Sequence, residues 1–317
     1  LIGDGSGTTR FFIERMDNRI WPSIEDAWCV DCALGLTPSM ANASLGASAG
    51  TGSGVTFFAS AAVFPVGTVG QVIRMGGGIA LVTARTSDFI VTGQWYYPCQ
   101  DIVPNDPLNL PVQKIAGEWS LGPQVTTITG LSHLAGKQVT GLADGFVITP
   151  RTVSATGTIT LDFPASKVVV GLGFTAQMQS IYLDTGSPTI QGRRTMIPAV
   201  TIRVEASGAF QAKANQVDAS TQNPQPLFEV WPMLAPVVPQ EAPPTYLTPG
   251  GATVRPLFTG DWRVIIPSSW QKGSQVAVQQ TLPVSLAVTA LIPEDLPGDL
   301  PSVDLPPRRP AQRQQVP

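Results

Sequence analysis

The feature that most constrains the fold is a strict alternation of apolar and polar residues in short segments of the chain. Residues 200–205 (VTIRVE) alternate throughout, and residues 158–163 (TITLDF) do so up to Pro164. A period of two places the apolar side chains on one face of a β-strand, and that face must be buried. Glycine (31 residues) and proline (30 residues) punctuate the chain, which favours many short strands over long helices. We therefore predict an all-β fold of several small antiparallel barrel or sandwich modules with extended proline-rich arms.

The chain should divide into several modules. Its 317 residues predict two or three domains, because a single core rarely grows to that size. The small polar residues of 37–54 predict a flexible connection outside any core, and residues 232–249 predict a proline-rich arm. The predicted parts are a β domain from residues 1–36 and 117–190, an inserted β module at 55–105, an antiparallel β domain at 191–292 and a proline-rich tail at 293–317.

Individual strands are predicted from apolar runs that end in turn residues. A strand at 139–143 should end at an exposed turn formed by Asp144 and Gly145. The continuous apolar run at 168–172 predicts a strand that is covered on both faces. Further strands are predicted at 9–15, 27–34, 69–75, 79–84, 89–92, 227–231, 262–266, 275–279 and 284–291.

The charge balance argues against nucleic-acid recognition. The net charge is −3 and the isoelectric point is 5.2, so the chain lacks the basic surface that grips a phosphate backbone. DNA could still pass such a surface without being bound. The longest apolar stretches, such as 284–292, are shorter than the roughly 18 residues of a membrane span, so no span is predicted. The sequence starts at Leu1 without methionine, and we expect an upstream portion to be missing.

Three cysteines, Cys29, Cys32 and Cys99, are too few for a disulfide framework and predict assembly in a reducing cytoplasm. The spacing of Cys29 and Cys32 could suit zinc or a redox dithiol. A zinc site needs about four ligands, however, and the only other soft candidates are Cys99 and His133. We predict structural thiols, with no metal and no cofactor.

Few residues of the chain match a known catalytic arrangement. His133 could be drawn into a Ser/His/Asp triad with Asp144, but no G-x-S-x-G nucleophile turn occurs, and a turn histidine is the simpler interpretation. The glycines 76–78 lack the lysine of a phosphate-binding loop, so they predict a hairpin turn.

Two other groups of residues leave alternatives open. The carboxylate pairs Glu14/Asp17 and Glu25/Asp26 could serve glycoside hydrolysis, although surface charges or ion pairs with Arg15 or Arg19 explain them equally well. The aromatic residues Trp95, Tyr96 and Tyr97 could belong to a core or a subunit interface, or could be exposed for glycan contact.

A resemblance to a known family rests on several motifs that occur in one order. The motif HLxGKxVxxLADG is present with His133, Gly136, Lys137, Asp144 and Gly145. The chain resembles the C-terminal half of a family of tailed-phage structural proteins, in which this module is likened to the small β domain of ubiquitin-activating enzymes. The unit at residues 69–92, with VGQVIRMGGGIALVTARTS, resembles an insert of that family. The resembling segments are 14–34, 130–174, 191–210 and 257–294.

The resemblance implies a structural subunit of a virion tail that is assembled in the host cytoplasm. It is similar to the nozzle or tail tubular proteins of short-tailed phages, which implies a homohexameric ring that continues the DNA channel below portal and adaptor. Portal, adaptor and tail fibres are the implied partners, genomic DNA would pass without specific binding, and no catalytic residue is implied. The chain departs from the family at Ala135 and at Gly173-Phe174, so hub and fibre-base positions stay open. A receptor- or glycan-contacting module and a tail-borne envelope hydrolase remain as alternatives.

Overall fold

The computed structural model describes residues 21, 23–101, 112–181, 195–214, 245–265 and 275–297, and the backbone of two short strands near the start. About 55% of the described residues lie in strands and 3% in helices, in several antiparallel sheets of which one is nearly barrel-shaped. The predicted all-β class is therefore confirmed. The first elements are β1 (Ile2–Gly3) paired with β2 (Thr9–Arg10), a 3-10 helix at Ile24–Asp26, and β3 (Asp31–Leu36).

A seven-stranded antiparallel sheet forms the first large module. Its strand order is β10-β6-β7-β8-β5-β4-β9. Phe57, Phe64, Ile73 and Trp119 are buried in its core. Three of its strands lie outside the predicted insert at 55–105, so the sheet is wider than that range. The strands are β4 (Leu45–Ala47), β5 (Val55–Ala59), β6 (Val72–Met75), β7 (Gly78–Arg85), β8 (Ile90–Tyr97), β9 (Val112–Lys114) and β10 (Trp119–Gly122).

The predicted flexible connection at 37–54 is wrong. Strand β4 pairs with both β5 and β9, and Ala43, Leu45 and Ala47 are buried in the core of the sheet. These three residues alternate with serine and glycine, which is the period of a strand. The small side chains hid that period, because alanine contributes little to an apolar pattern.

The predicted glycine hairpin is confirmed. Gly76 and Gly77 connect β6 to β7 with positive φ angles of 52° and 74°, and Met75 faces Gly78 across the turn. A side chain at Gly76 would also place its Cβ only 2.6 Å from Cys99 Sγ. Both the backbone conformation and the limited space therefore require glycine here.

The second module contains a four-stranded sheet in the order β13-β12-β15-β3 and the pair β11-β14. Strand β15 is buried along nearly its whole length, as its apolar run predicts. Strand β3 starts later than predicted and alternates between exposed and half-buried residues, because it is the edge of the sheet. This module also contains a 3-10 helix at Ser132–Leu134 and the strands β11 (Val125–Ile128), β12 (Gln138–Ala143), β13 (Phe146–Thr152), β14 (Ile159–Ala165) and β15 (Val168–Leu172).

The third module has two three-stranded sheets, β16-β22-β18 and β21-β17-β23, and the short pair β19-β20. Val200, Ile202 and Val204 are buried against Trp262, which confirms the burial predicted from their alternation. The strands are β16 (Ala176–Gln179), β17 (Thr195–Ser207), β18 (Gln211–Ala214), β19 (Tyr246–Leu247), β20 (Thr253–Val254), β21 (Phe258–Ile265), β22 (Val276–Gln280) and β23 (Ala287–Pro297).

Several predictions fall wholly or mostly on residues outside the described ranges. They are the strand at 227–231, the strand at 9–15 beyond Arg10, the arm at 232–249 before residue 245, and the tail at 293–317 beyond residue 297.

Candidate functional site

A buried arginine joins three parts of the chain. Arg74 lies in β6, and its side chain is only 11% exposed. Its Nε and Nη2 donate to the two carboxylate oxygens of Glu25 at 3.0 and 2.9 Å, and Nη2 also donates to Asp144 Oδ1 at 2.6 Å. Its Nη1 donates to Ser166 Oγ at 2.8 Å. The four residues Glu25, Arg74, Asp144 and Ser166 form what we name the Arg74 cluster.

Asp144 enters the cluster from a tight turn. Asp144 and Gly145 connect β12 to β13, with positive φ angles of 48° and 82°. Aspartate tolerates this left-handed conformation better than most residues, and glycine adopts it freely. The carboxylate also accepts hydrogen bonds from the backbone N–H groups of Lys167 at 2.8 Å and Ser166 at 3.1 Å. The predicted turn is confirmed, but its predicted exposure is wrong, because Asp144 is 1% exposed.

A second ion pair lies beside the cluster. Lys167 Nζ donates to Asp26 Oδ1, and these residues directly follow Ser166 and Glu25 in the chain. The carboxylates of Glu25, Asp26 and Asp144 contribute three negative charges against the two positive charges of Arg74 and Lys167. The group therefore holds one net negative charge in a largely buried place.

The ionisation of the cluster follows from burial and mutual contact. Burial alone would lower the pKa of Arg74, but the charges and hydrogen bonds of Glu25 and Asp144 outweigh burial and raise it. Burial raises the pKa of Asp144, and the charge of Glu25 raises it further, while Arg74 and the backbone N–H donors oppose both effects. Burial and the charge of Glu25 also raise the pKa of Tyr246, which keeps its phenol protonated.

Two clefts adjoin the cluster. One has a volume of about 330 Å³ and is lined in part by Glu25, Arg74 and Lys167. The other has a volume of about 300 Å³ and is lined in part by Glu25, Tyr97 and Tyr246, whose two aromatic rings lie 4.5 Å apart. Glu25 thus lines both clefts, yet both of its carboxylate oxygens accept hydrogen bonds from Arg74.

This geometry positions chain segments through paired charges. A general acid or base needs a carboxyl oxygen that can reach a substrate proton. Glu25 is 6% exposed and bound to Arg74, whereas Asp26 is bound to Lys167. Of the two carboxylate pairs weighed for hydrolysis, Glu25 and Asp26 are therefore held by different cations, and Glu14 and Asp17 lie outside the described residues. Glu25 does form a buried ion pair, with Arg74 as its partner, while Arg15 and Arg19 lie outside the described residues.

The other residues of the HLxGKxVxxLADG motif lie at the opposite end of β12. His133 is in the 3-10 helix, with Nε2 3.1 Å from the carbonyl oxygen of Cys32. Gly136 has a positive φ of 74° in the following turn, and Lys137 is exposed. Because His133 contacts Cys32 while Asp144 contacts Arg74, the structure does not assemble the triad that sequence reasoning had considered.

The three aromatic residues weighed as an interface have different environments. Trp95 is 7% exposed, packs on Phe57 with ring centroids 5.4 Å apart, and donates from Nε1 to the carbonyl oxygen of Ala49 at 2.9 Å. Of the alternatives left open for Trp95, the structure shows the core position, since Trp95 occupies a buried position of β8. Tyr96 and Tyr97 are half-buried, and Tyr97 packs on Tyr246.

Sequence reasoning missed Arg74, although the chain contained a signal. Arg74 lies between Ile73 and Met75, in a strand whose other residues are apolar and buried. A lone charge in such a strand predicts a buried partner of opposite charge, because an isolated buried charge is costly.

The described residues include no group of three or more His, Cys, Asp or Glu side chains placed to hold a metal ion. Cys99 is buried, while Cys29 and Cys32 are half-buried. No helix in the described ranges is long and apolar enough to cross a membrane.

Comparison with known proteins does not assign the chain to a family. No protein-family description matches its sequence, and no characterised protein matches it significantly.

Proposed function

We propose that this chain is a structural subunit of a phage virion tail, in which a ring of six copies continues the DNA ejection channel below the portal and adaptor. The proposal starts from the ordered motifs that resemble tail proteins. The structural observation that supports it is the Arg74 cluster, which ties β6 to the 3-10 helix at Ile24–Asp26 and to the β12–β13 hairpin. Buried ionic contacts hold the modules to one another, which suits a rigid subunit of a ring.

The charge of the chain supports the same proposal. A conduit for DNA must not hold the phosphate backbone, and a chain with net charge −3 offers no excess of positive charge for doing so. The described ion pairs point the same way, because residues such as Arg74, Arg203 and Arg263 are already bound to carboxylates.

The deciding experiment is a reconstruction of an intact particle in which this chain is located. We expect six copies in a ring that is coaxial with the portal. Three copies, a single copy, or a position on a fibre would contradict the nozzle assignment. Co-purification of the chain with portal and adaptor proteins would support it independently.

The two alternatives have tests of their own. The receptor- or glycan-contacting alternative was motivated by Trp95, Tyr96 and Tyr97, and the burial of Trp95 removes one of these three side chains. Binding of purified protein to host cells or glycans would favour this alternative. Clearing of cell-envelope material in a zymogram by pure, folded protein would favour a hydrolase, for which Glu25 and Asp26 would be the first residues to replace.

A further inference from the structure

The sheet β16-β22-β18 has an edge strand without the usual protection. All four residues of β16, Ala176–Gln179, are exposed. The segment around the strand exposes Phe174 (48%), Met178 (41%) and Ile181 (86%). None of residues 173–181 is charged and none is proline. Exposed edge strands that lack charge and proline are templates for pairing with another chain.

The register shows which backbone groups of β16 are available. Ser180 N–H donates to the carbonyl oxygen of Val276 at 2.8 Å, so Ser180 and alternate residues before it face β22. In an antiparallel pair the intervening residues direct their N–H and C=O groups away from the partner strand. Gln177 and Gln179 therefore present their backbone groups outward, where another extended strand can pair with them in place of water.

Two edges of neighbouring sheets, β13 and β23, are built differently. Strand β13 carries Pro150 and Arg151, and β23 carries Pro293 and Glu294. Proline removes a backbone donor, and exposed charges disfavour close stacking, so these edges resist pairing. In contrast with β13 and β23, β16 carries neither proline nor charge and is open to pairing with another strand.

The opposite edge of the same sheet has matching chemistry. Strand β18 also has four residues and also pairs only with β22 among the described strands. Cross-strand partners place Gln177, Gln279 and Gln211 in one row on one face, and Met178, Val278 and Ala212 in one row on the other. Both edges thus present a glutamine on one face and an apolar residue on the other, and β18 differs from β16 in also carrying one charged residue, Lys213.

We propose that β16 of one copy pairs with β18 of a second copy, so that the three-stranded sheet continues from subunit to subunit. Because β16 and β18 both run antiparallel to β22, they run in the same direction, and the new pair would be parallel. Such a head-to-tail contact is heterologous, and it closes into a ring when the rotation between copies allows. The proposal rests on the proposed multi-copy assembly and names the surface that builds it.

The first test compares two substitutions at Gln177. Gln177→Pro removes an outward N–H and leaves the bonds to β22 in place, whereas Gln177→Ala keeps that N–H. We expect Gln177→Pro to weaken self-association of the full chain about tenfold or more, measured by sedimentation over a range of concentrations, and Gln177→Ala to change it little. Met178→Lys, which places a charge at the same edge, should act like Gln177→Pro. Unaltered association in both Gln177→Pro and Met178→Lys, each shown to be folded by its melting curve, would overturn the proposal.

The second test identifies the partner strand. Chains that carry Gln177→Cys are mixed with chains that carry Gln211→Cys under mild oxidation. Paired strands lie about 4.8 Å apart, which suits a disulfide when both side chains are on one face. We expect cross-linked dimers only in the mixture and none with wild-type chains. Cross-links among Gln177→Cys chains alone, or no cross-link in the mixture, would overturn the assignment of β18.

The experiments can contradict the β16–β18 contact without contradicting the proposed function, and they can also do the opposite. A six-fold ring in the particle that survives Gln177→Pro would leave the nozzle function standing and overturn the β16–β18 contact. Cross-linked assemblies of a chain that is located on a fibre would support the β16–β18 contact and contradict the nozzle function.

Discussion

Two sets of arginine–carboxylate pairs in this protein have nearly the same hydrogen bonds and opposite surroundings. In the buried set, Arg74 donates to Glu25 at 3.0 and 2.9 Å. In the exposed set on the β21-β17-β23 sheet, Arg203 donates to Asp261 at 2.7 and 2.9 Å. The side chains of Arg74 and Glu25 are 11% and 6% exposed, whereas those of Arg203 and Asp261 are 54% and 45% exposed.

The comparison shows that bond geometry alone does not decide what an ion pair contributes. Water and salt screen the exposed pair, so losing one partner leaves the other hydrated. The buried pair has no such alternative, and loss of one partner leaves an uncompensated charge in the interior. We therefore expect the Arg74 cluster to control stability and module orientation, and the exposed pairs to tune the surface.

The largest expected effect follows from replacing Arg74. Arg74→Met keeps an unbranched side chain but leaves Glu25 and Asp144 without their cation. We expect a loss of about 3–5 kcal/mol in the free energy of unfolding, measured with urea, because an unpaired buried charge is that costly. Arg203→Met is the matched control and should cost far less. Equal losses in the two variants would contradict the distinction between the two sets.

A smaller effect is expected when one carboxylate loses its charge and keeps its shape. Glu25→Gln retains one acceptor for Arg74 and places an amide nitrogen where the second acceptor was. We expect a loss of about 1–3 kcal/mol in the free energy of unfolding, as for other broken buried hydrogen bonds to charged groups. Glu118→Gln, at a residue whose side chain is 50% exposed, should stay within about 0.5 kcal/mol of wild type. A Glu118→Gln loss as large as that of Glu25→Gln would show that burial is not the cause.

The sequence predicted those strands whose pattern is local and made of large side chains. The alternation at 200–205 and the apolar run at 168–172 each became a buried strand. The same reasoning failed for β4, in which alanine and glycine alternate with little difference in hydropathy. The extension of the seven-stranded sheet to β10 was also missed, because the pairing of Trp119 with Met75 joins residues far apart in the chain.

Of the candidate site, only the turn that carries Asp144 was predicted from the sequence. The chemistry of Asp144 and Gly145 predicted the turn, since aspartate and glycine suit its positive φ angles. The partner of Asp144 could not be predicted, because Arg74 is 70 residues away and Glu25 lies 49 residues before Arg74. Such contacts depend on how modules pack, and no local period records that packing.

A pH titration should distinguish the buried pairs from the exposed pairs, because the contributions of Asp144 and Asp261 to stability should change in opposite directions as pH falls. Burial and the charge of Glu25 raise the pKa of Asp144, so the folded protein takes up this proton before the unfolded chain does. As pH falls from neutral towards 3.8, the contribution of Asp144 to stability should therefore rise. The hydrogen bond from Arg203 lowers the pKa of Asp261, so the contribution of Asp261 is present above 3.8 and is lost as pH falls through its lowered value.

These contributions can be measured as differences in unfolding free energy from wild type, at each pH, for Asp144→Asn and Asp261→Asn. Both asparagine variants keep the size of the side chain and remove its titration. If the two free-energy differences changed in the same direction as pH falls, the distinction between the buried and the exposed pairs would be contradicted.

The smallest expected effect concerns salt. The pKa of Asp261 is lowered and that of Arg203 is raised by their mutual hydrogen bonds, so the pair is attractive, but both side chains are about half exposed. At 1 M ionic strength the screening length is about 3 Å, which is comparable with the separation of the charges. We expect the difference between wild type and Asp261→Asn at neutral pH to shrink as sodium chloride is added, while the difference between wild type and Asp144→Asn stays constant, because salt does not enter the interior. A salt-sensitive Asp144 would mean that solvent reaches the Arg74 cluster through one of its two clefts, and the cluster would then belong with the exposed pairs.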